Sequence, residues 1–243
     1  MDSHQDVDSW LAEIAGRPSV FNHNPRLRSA EFRSFELVNQ VTLAGANGAT
    51  ENVYLFARQT RGGEAVLRVA VSAHDDTRHA LLALREGLDN SMNPDIPRAA
   101  SRLAKLVDIG FALGAERGQR GVGLAAASFS VGNVSVTLNS VGESAVDVSA
   151  AATHIGKLLA TPPDKTALKS GRARLFAPTD VELRAGQALT LIEQLPEARP
   201  GAERIQLLAP EGEFRRDGTA LLYVARAKGP QRIELFTHAQ PAD

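Results

Sequence analysis

The 243-residue chain contains no cysteine, and that absence excludes disulfides, thiolate catalysis, iron–sulfur ligation and cysteine-built zinc sites. Aromatic residues are scarce at 5%, with a single tryptophan, which argues against a sugar-binding platform of stacked rings. A formal charge of -1 leaves the chain without the basic excess of a general nucleic-acid binder, so no nucleic acid is expected as a partner. No apolar stretch approaches the roughly 20 residues that span a bilayer. The opening MDSHQDVDSWLAEIAGR is too polar and acidic for a signal peptide. Missing too are HExxH, a GxSxG elbow, a Walker loop and a GxGxxG between strand and helix, the commonest hydrolase and nucleotide signatures.

What is present reads as an ordinary globular protein, 43% hydrophobic and 23% charged, long enough to bury a core without staples. Its clearest stretch runs from Val107 to Ala160. Val107, Ile109, Phe111 and Leu113 alternate with small or polar residues, as do Val134, Val136 and Leu138, the period of half-buried strands. After Asp147 the period changes, and Val148, Ala151, Ile155, Leu158 and Leu159 recur at helical spacing. The same order occurs earlier: FELVNQVTL, a glycine-containing loop, VYLFARQ, a hairpin at Gly62-Gly63, AVLRVAV, and a helix striped by Leu81, Leu84 and Leu88 that Asp75 or Asp76 would cap.

The sequence therefore predicts an α+β fold in which a βββα unit is duplicated, an antiparallel sheet with two helices on one face, followed by a small all-β module. Residues 1–34 form an N-terminal helix and a polar surface connection. The duplicated domain covers 35–161, as 35–90 and 107–161 joined by a linker helix over 98–106. After the linker TPPDKTALKSGRAR, short alternating runs separated by Pro and Gly turns predict a β-sandwich-like module over 172–243. No cysteine, a β-rich build and a detached β module lean towards an exported protein whose signal lies outside this chain.

Candidate sites follow from chemistry. His74 and His79, with Asp75 between them, offer imidazole nitrogen and carboxylate oxygen to a divalent metal, although a spacing of five does not put both rings on one helix face. The competing reading is an aspartate N-cap flanked by solvated histidines, with no cofactor. In the loop Gly114 to Gly121, Arg117 and Arg120 lie among glycines, where forked donors and backbone N–H groups suit a phosphate or carboxylate. The corresponding loop Ala44 to Glu51 contributes Asn47 and Glu51. Asp75 with Asp76, or Glu182 with Glu193, would serve as acid and base only if folded into one cleft. Trp10 and Phe21 are candidate anchors for a partner. The missing catalytic vocabulary favours a non-enzymatic binding or protein-interaction module for an unidentified protein or small molecule. The alternative is a metal-assisted or carboxylate-based hydrolase.

Overall fold

The computed structural model of the chain describes residues 3–28, 32, 34–44, 49–91, 96–99, 101–114, 123–161, 182–226 and 231–238. Helix α1 (Ser3–Ile14) ends at Gly16, whose φ of +81° suits a residue without a Cβ, and leads into strand β1 (Ser19–His23). The alternating stretches follow as β2 (Glu36–Ala44), β3 (Thr50–Thr60) and β4 (Gly63–Ala73), then helix α2 (Thr77–Asp89) and the single turn α3 (Ser101–Ala104). A second meander, β5 (Ile109–Gly114), β6 (Leu124–Val131) and β7 (Val134–Ser140), precedes helix α4 (Ser149–Ala160). The C-terminal strands are β8 (Ala188–Ile192), β9 (Arg204–Ala209), β10 (Glu213–Asp217), β11 (Ala220–Val224) and β12 (Glu234–His238).

The two meanders meet at β4 and β7 in a six-stranded antiparallel sheet of order β2-β3-β4-β7-β6-β5. Facing residues of antiparallel strands share a face, so the register sorts the side chains. One face carries Tyr54, Phe56, Leu67, Val69, Val71, Phe129, Val136 and Leu138, all buried with Ala152, Ile155 and Leu159 of α4. The opposite face of β5 carries Ile109 and Phe111, paired with Ser130 and Ser128, and these pack with Leu81, Leu84 and Leu88 of α2 and Val7 and Trp10 of α1.

Helices α2 and α4 therefore lie on opposite faces, which corrects the expectation of two helices on one face. The reason is in the side chains. Ser128, Ser130, Ser135 and Thr137 make the α2 side of β6 and β7 small, so a helix can approach it closely, and the aliphatic stripe of α2 buries against Ile109 from above. A two-fold axis normal to the sheet between β4 and β7 would preserve faces, so the strand triplets match in order and pairing while the helices do not.

One segment read as a connection is structured. The polar run at Ser19–His23 is a strand paired with β9, and it completes a three-stranded sheet β1-β9-β12. That sheet and a second one, β10-β11-β8, enclose one apolar core of Phe21, Leu191, Leu207, Phe214, Leu221 and Tyr223. The C-terminal strands thus form two small facing sheets that draw a strand from the N-terminal segment. The helix expected over 98–106 is confined to Ser101–Ala104, because the backbone of Pro97 and Ala99 bonds to the outer edge of β5 through Ala112 N to Pro97 O (3.0 Å) and Ala99 N to Gly110 O (2.8 Å).

Between the large sheet and the C-terminal strands lies a buried polar joint. The last carbonyls of a helix lack intrahelical donors, and in α4 these are met from outside. Leu158 O accepts from Arg204 (2.8 Å), and Leu159 O accepts from Gln206 (2.6 Å) and Asn22 (3.2 Å). At the β6–β7 turn, Asn133 accepts from the Asn22 backbone N–H (2.7 Å) and donates to the carbonyls of Asn22 (3.0 Å) and His74 (2.8 Å). Beside it Gly132 sits at φ +54°, where an added Cβ would fall 1.9 Å from Val20 O, so the turn accepts β1 only because it carries no side chain.

Asn133→Ala is expected to destabilise the fold by about 3 kcal/mol, since it leaves three buried backbone groups without partners that each cost about 1–3 kcal/mol, less than additively. Urea unfolding at neutral pH measures this. Asn133→Asp is expected to destabilise as well, because a carboxylate has no proton to donate to the two carbonyls.

Candidate functional site

The histidine–aspartate stretch predicted as a metal site forms the start of α2. Asp76 is the N-cap, with its side chain accepting from the His79 backbone N–H (2.8 Å) while His79 Nδ1 lies 2.8 Å from the same oxygen. An aspartate here satisfies an orphan donor and is worth about 1 kcal/mol. Asp75 turns the other way and accepts from Arg216 Nε on β10 (2.6 Å), and the Asp75 carbonyl accepts from the Arg216 backbone N–H (2.8 Å). His74 is buried, its Nε2 2.9 Å from Ser135 Oγ. The three candidates thus point to three different partners, and no group of three such residues able to hold a metal occurs among the described residues.

The remaining sequence candidates divide. Arg117, Arg120 and Asn47 lie outside the described residues, and Glu51 is half-buried near the start of β3, facing Leu43 and Ser72. Glu182 and Glu193 are both exposed. Trp10 and Phe21 are not exposed anchors. Trp10 is buried against α2 with its ring 5.5 Å from Phe111 and the Arg98 guanidinium 5.4 Å above it, and Phe21 fills the core between the small sheets.

A cleft of about 340 Å³ opens where α1 turns into β1, beside the first turn of α2, the β6–β7 turn and the β9–β10 turn. Three guanidinium groups and three carboxylates line it, and they are largely paired with one another or with backbone. Arg17 donates to the carbonyls of Val107 (3.2 Å) and Asp108 (3.3 Å), Arg78 pairs with Asp8 (2.7 Å), and Arg226 pairs with Glu213. On its floor the Asp108 carboxylate accepts from Gly132 N (2.6 Å), and burial raises its pKa above the ordinary carboxylate value against the opposing effects of that hydrogen bond and Arg17. The polar groups of this cleft mainly hold α1, α2 and the neighbouring turns and strands in place.

A different surface is left unsatisfied. Among the described residues, strand β2 is an edge of the six-stranded sheet, bonded to β3 alone. Of its side chains, Val38 is 58% exposed, Val41 44% and Leu43 48%. Register with Val53 and Glu51 places Val41 and Leu43 on the face opposite α4, beside half-buried Val53 and Leu55. Helix α2 covers β6 and β7 on that face. The other edge of the sheet, β5, is covered by Pro97–Ala99. Edge strands usually carry charge, proline or a covering segment, because a free row of N–H and C=O groups pairs with other strands. In ELVNQVTLA only Glu36 is charged, and a bulge between Leu37 and Asn39 is the one irregularity. Sequence reasoning identified this strand but not its position. The available signal was the run of eight uncharged residues from Leu37 to Ala44.

Comparison with protein-family models, with curated proteins and with solved structures gave no match to this chain. No helix of the described residues is long and apolar enough to cross a membrane.

The buried imidazole makes a pH prediction. Burial, reinforced by His79, lowers the pKa of His74 to about 4 from 6.5. The folded value lies below the unfolded one, so the unfolded chain takes up the proton first. The contribution of neutral His74 is fully present above pH 6.5 and is lost as pH falls towards 4, roughly 3 kcal/mol in all. His23, lowered chiefly by burial, acts in the same direction. Urea-unfolding free energies are expected to fall from about pH 6.5 to about pH 5, above the ordinary carboxylate range, and to fall less steeply in His74→Gln.

Proposed function

We propose that the chain is a non-enzymatic protein-interaction module that binds an extended segment by adding it as a strand to the free edge of β2. The observation that carries this reading is the asymmetry of the sheet: β5 is covered by Pro97–Ala99, while β2 exposes its backbone edge and Val38, Val41 and Leu43. Strand addition takes its affinity from main-chain hydrogen bonds and its selectivity from alternate side chains. Here the alternate positions Val41 and Leu43 continue into Val53 and Leu55, so the reading is of an apolar platform beside the incoming strand. The engagement of His74, Asp75 and His79 in the α2 cap and the joint supports binding over metal-assisted hydrolysis. As to build, we read the two meanders β2–β4 and β5–β7 as related halves, supported by the order β2-β3-β4-β7-β6-β5, with the helices outside that relationship. The C-terminal pair of small sheets is read as a separate sandwich-like module, and an exported location stays part of the proposal.

The test uses a peptide probe of alternating valine and threonine with a photo-crosslinker at its centre. Crosslinks are expected within residues 36–44 and are expected to fall more than about tenfold in Val41→Lys, since a charge facing the added strand opposes its pairing. Crosslinks elsewhere, or crosslinks indifferent to that substitution, would contradict the assignment.

A further inference from the structure

We infer that the strand completing β2 is β2 of a second copy of this chain, antiparallel about a two-fold axis at Thr42, which joins two six-stranded sheets edge to edge. The inference rests on the strand-addition reading and names its partner.

Three observations select a second copy. The first is charge. Between Leu37 and Ala44 the edge carries no ionised side chain, so the strand that matches it is itself neutral, and β2 is such a strand. In the antiparallel arrangement the one charge, Glu36, lies at opposite ends of the ribbon in the two copies, and no like charges meet.

The second is register. The bulge between Leu37 and Asn39 interrupts regular alternation and confines the pairing to the residues that follow it. A two-fold axis normal to the sheet keeps each face on its own side. With the axis at Thr42, Val41 of each copy faces Leu43 of the other, Thr42 faces Thr42, and Gln40 faces Ala44. Apolar side chains then meet on the bare face and polar or small ones on the other, the pattern that stabilises cross-strand pairs. A shift of one residue to Val41 would set Asn39 against Leu43 instead.

The third is the face. Val41, Leu43, Val53 and Leu55 form a half-open apolar strip at the end of each sheet, flanked by Glu51 opposite Leu43 and Asn39 opposite Leu55. Edge-to-edge pairing makes the two strips continuous and removes the open edge of both copies. The paired edge from Gln40 to Ala44 is about 17 Å long, and each copy then hides a few hundred Å², below the roughly 800 Å² per partner of a standard interface. The dimer is accordingly reversible and concentration-dependent.

The absence of cysteine gives a direct test with the full chain. Directly facing residues of antiparallel strands have Cα atoms about 4.5–5.5 Å apart, within disulfide reach. Thr42→Cys is therefore expected to form a disulfide-linked dimer under mild oxidation, whereas Glu36→Cys, tens of ångströms from its counterpart, is not. In parallel, sedimentation equilibrium from about 5 to about 500 µM is expected to show the unsubstituted chain moving from 25.9 kDa towards twice that mass. Val41→Lys is expected to stay at the lower mass with its circular dichroism and Tm unchanged, and Val141→Lys, exposed away from this edge, to dimerise normally. A chain that stays monomeric throughout, a dimer that survives Val41→Lys, or equal crosslinking of Thr42→Cys and Glu36→Cys overturns the inference. Should the chain be monomeric while the peptide probe still crosslinks to residues 36–44, the second copy is refuted and strand addition at β2 stands. Failure of both measurements refutes both.

Discussion

The end of helix α4 must find donors without water, and the rest of the molecule is arranged around that requirement. Its last carbonyls are buried between the large sheet and the small ones, where an unpaired carbonyl costs as much as a lost hydrogen bond. Arg204 and Gln206 reach it from β9 and Asn22 from β1. The Arg204 guanidinium also places positive charge at the negative end of the helix dipole. Because Asn22 is bound in turn by Asn133, the β6–β7 turn, β1 and β9 are fixed by one connected set of bonds. Such a network stabilises when complete and is costly when broken.

The distribution of helices follows from the same sheet. The face with Tyr54, Phe56, Phe129 and Leu138 demands apolar cover and receives it from α4. The other face is small and hydroxylated at β6 and β7, so α2 can lie close there and bury its leucines with α1 and Ile109. Helices α2 and α4 are thereby committed to the β5–β7 half on that and the opposite side. Among the described residues, the β2–β3 ribbon is left bare on one face, and its edge strand is left without a second strand. Exposure of Val41 and Leu43 is thus a consequence of where the helices find their best contacts, and it is this exposure on which the proposed strand addition rests.

Much of the fold was legible in the sequence because its signals are local. The alternation in FELVNQVTL, AVLRVAV and NVSVTLNS marks strands, and the leucines at 81, 84 and 88 behind an aspartate mark a capped helix, since each pattern reflects one element meeting one apolar surface. The segment SVFNHNPR misled for a physical reason. Polar residues usually mean solvent, yet Asn22, His23 and Asn24 are buried because their hydrogen bonds are met by groups far along the chain. His74 and Asp75 are engaged by Ser135 and Arg216 likewise, and metal-ligand chemistry and hydrogen bonding to a joint use the same side chains.

Local periodicity, turn residues and the lack of cysteine determined by themselves that this is an α+β protein of two antiparallel meanders, capped helices and short C-terminal strands. Those features depend on interactions spanning a few residues. Which face each helix covers, which polar groups are buried and which strand is left at the edge were decided only by the tertiary structure. They rest on contacts such as Asn22 with Asn133, 111 residues apart, and Asn22 with Arg204, 182 apart, whose formation depends on the packing of every element between them.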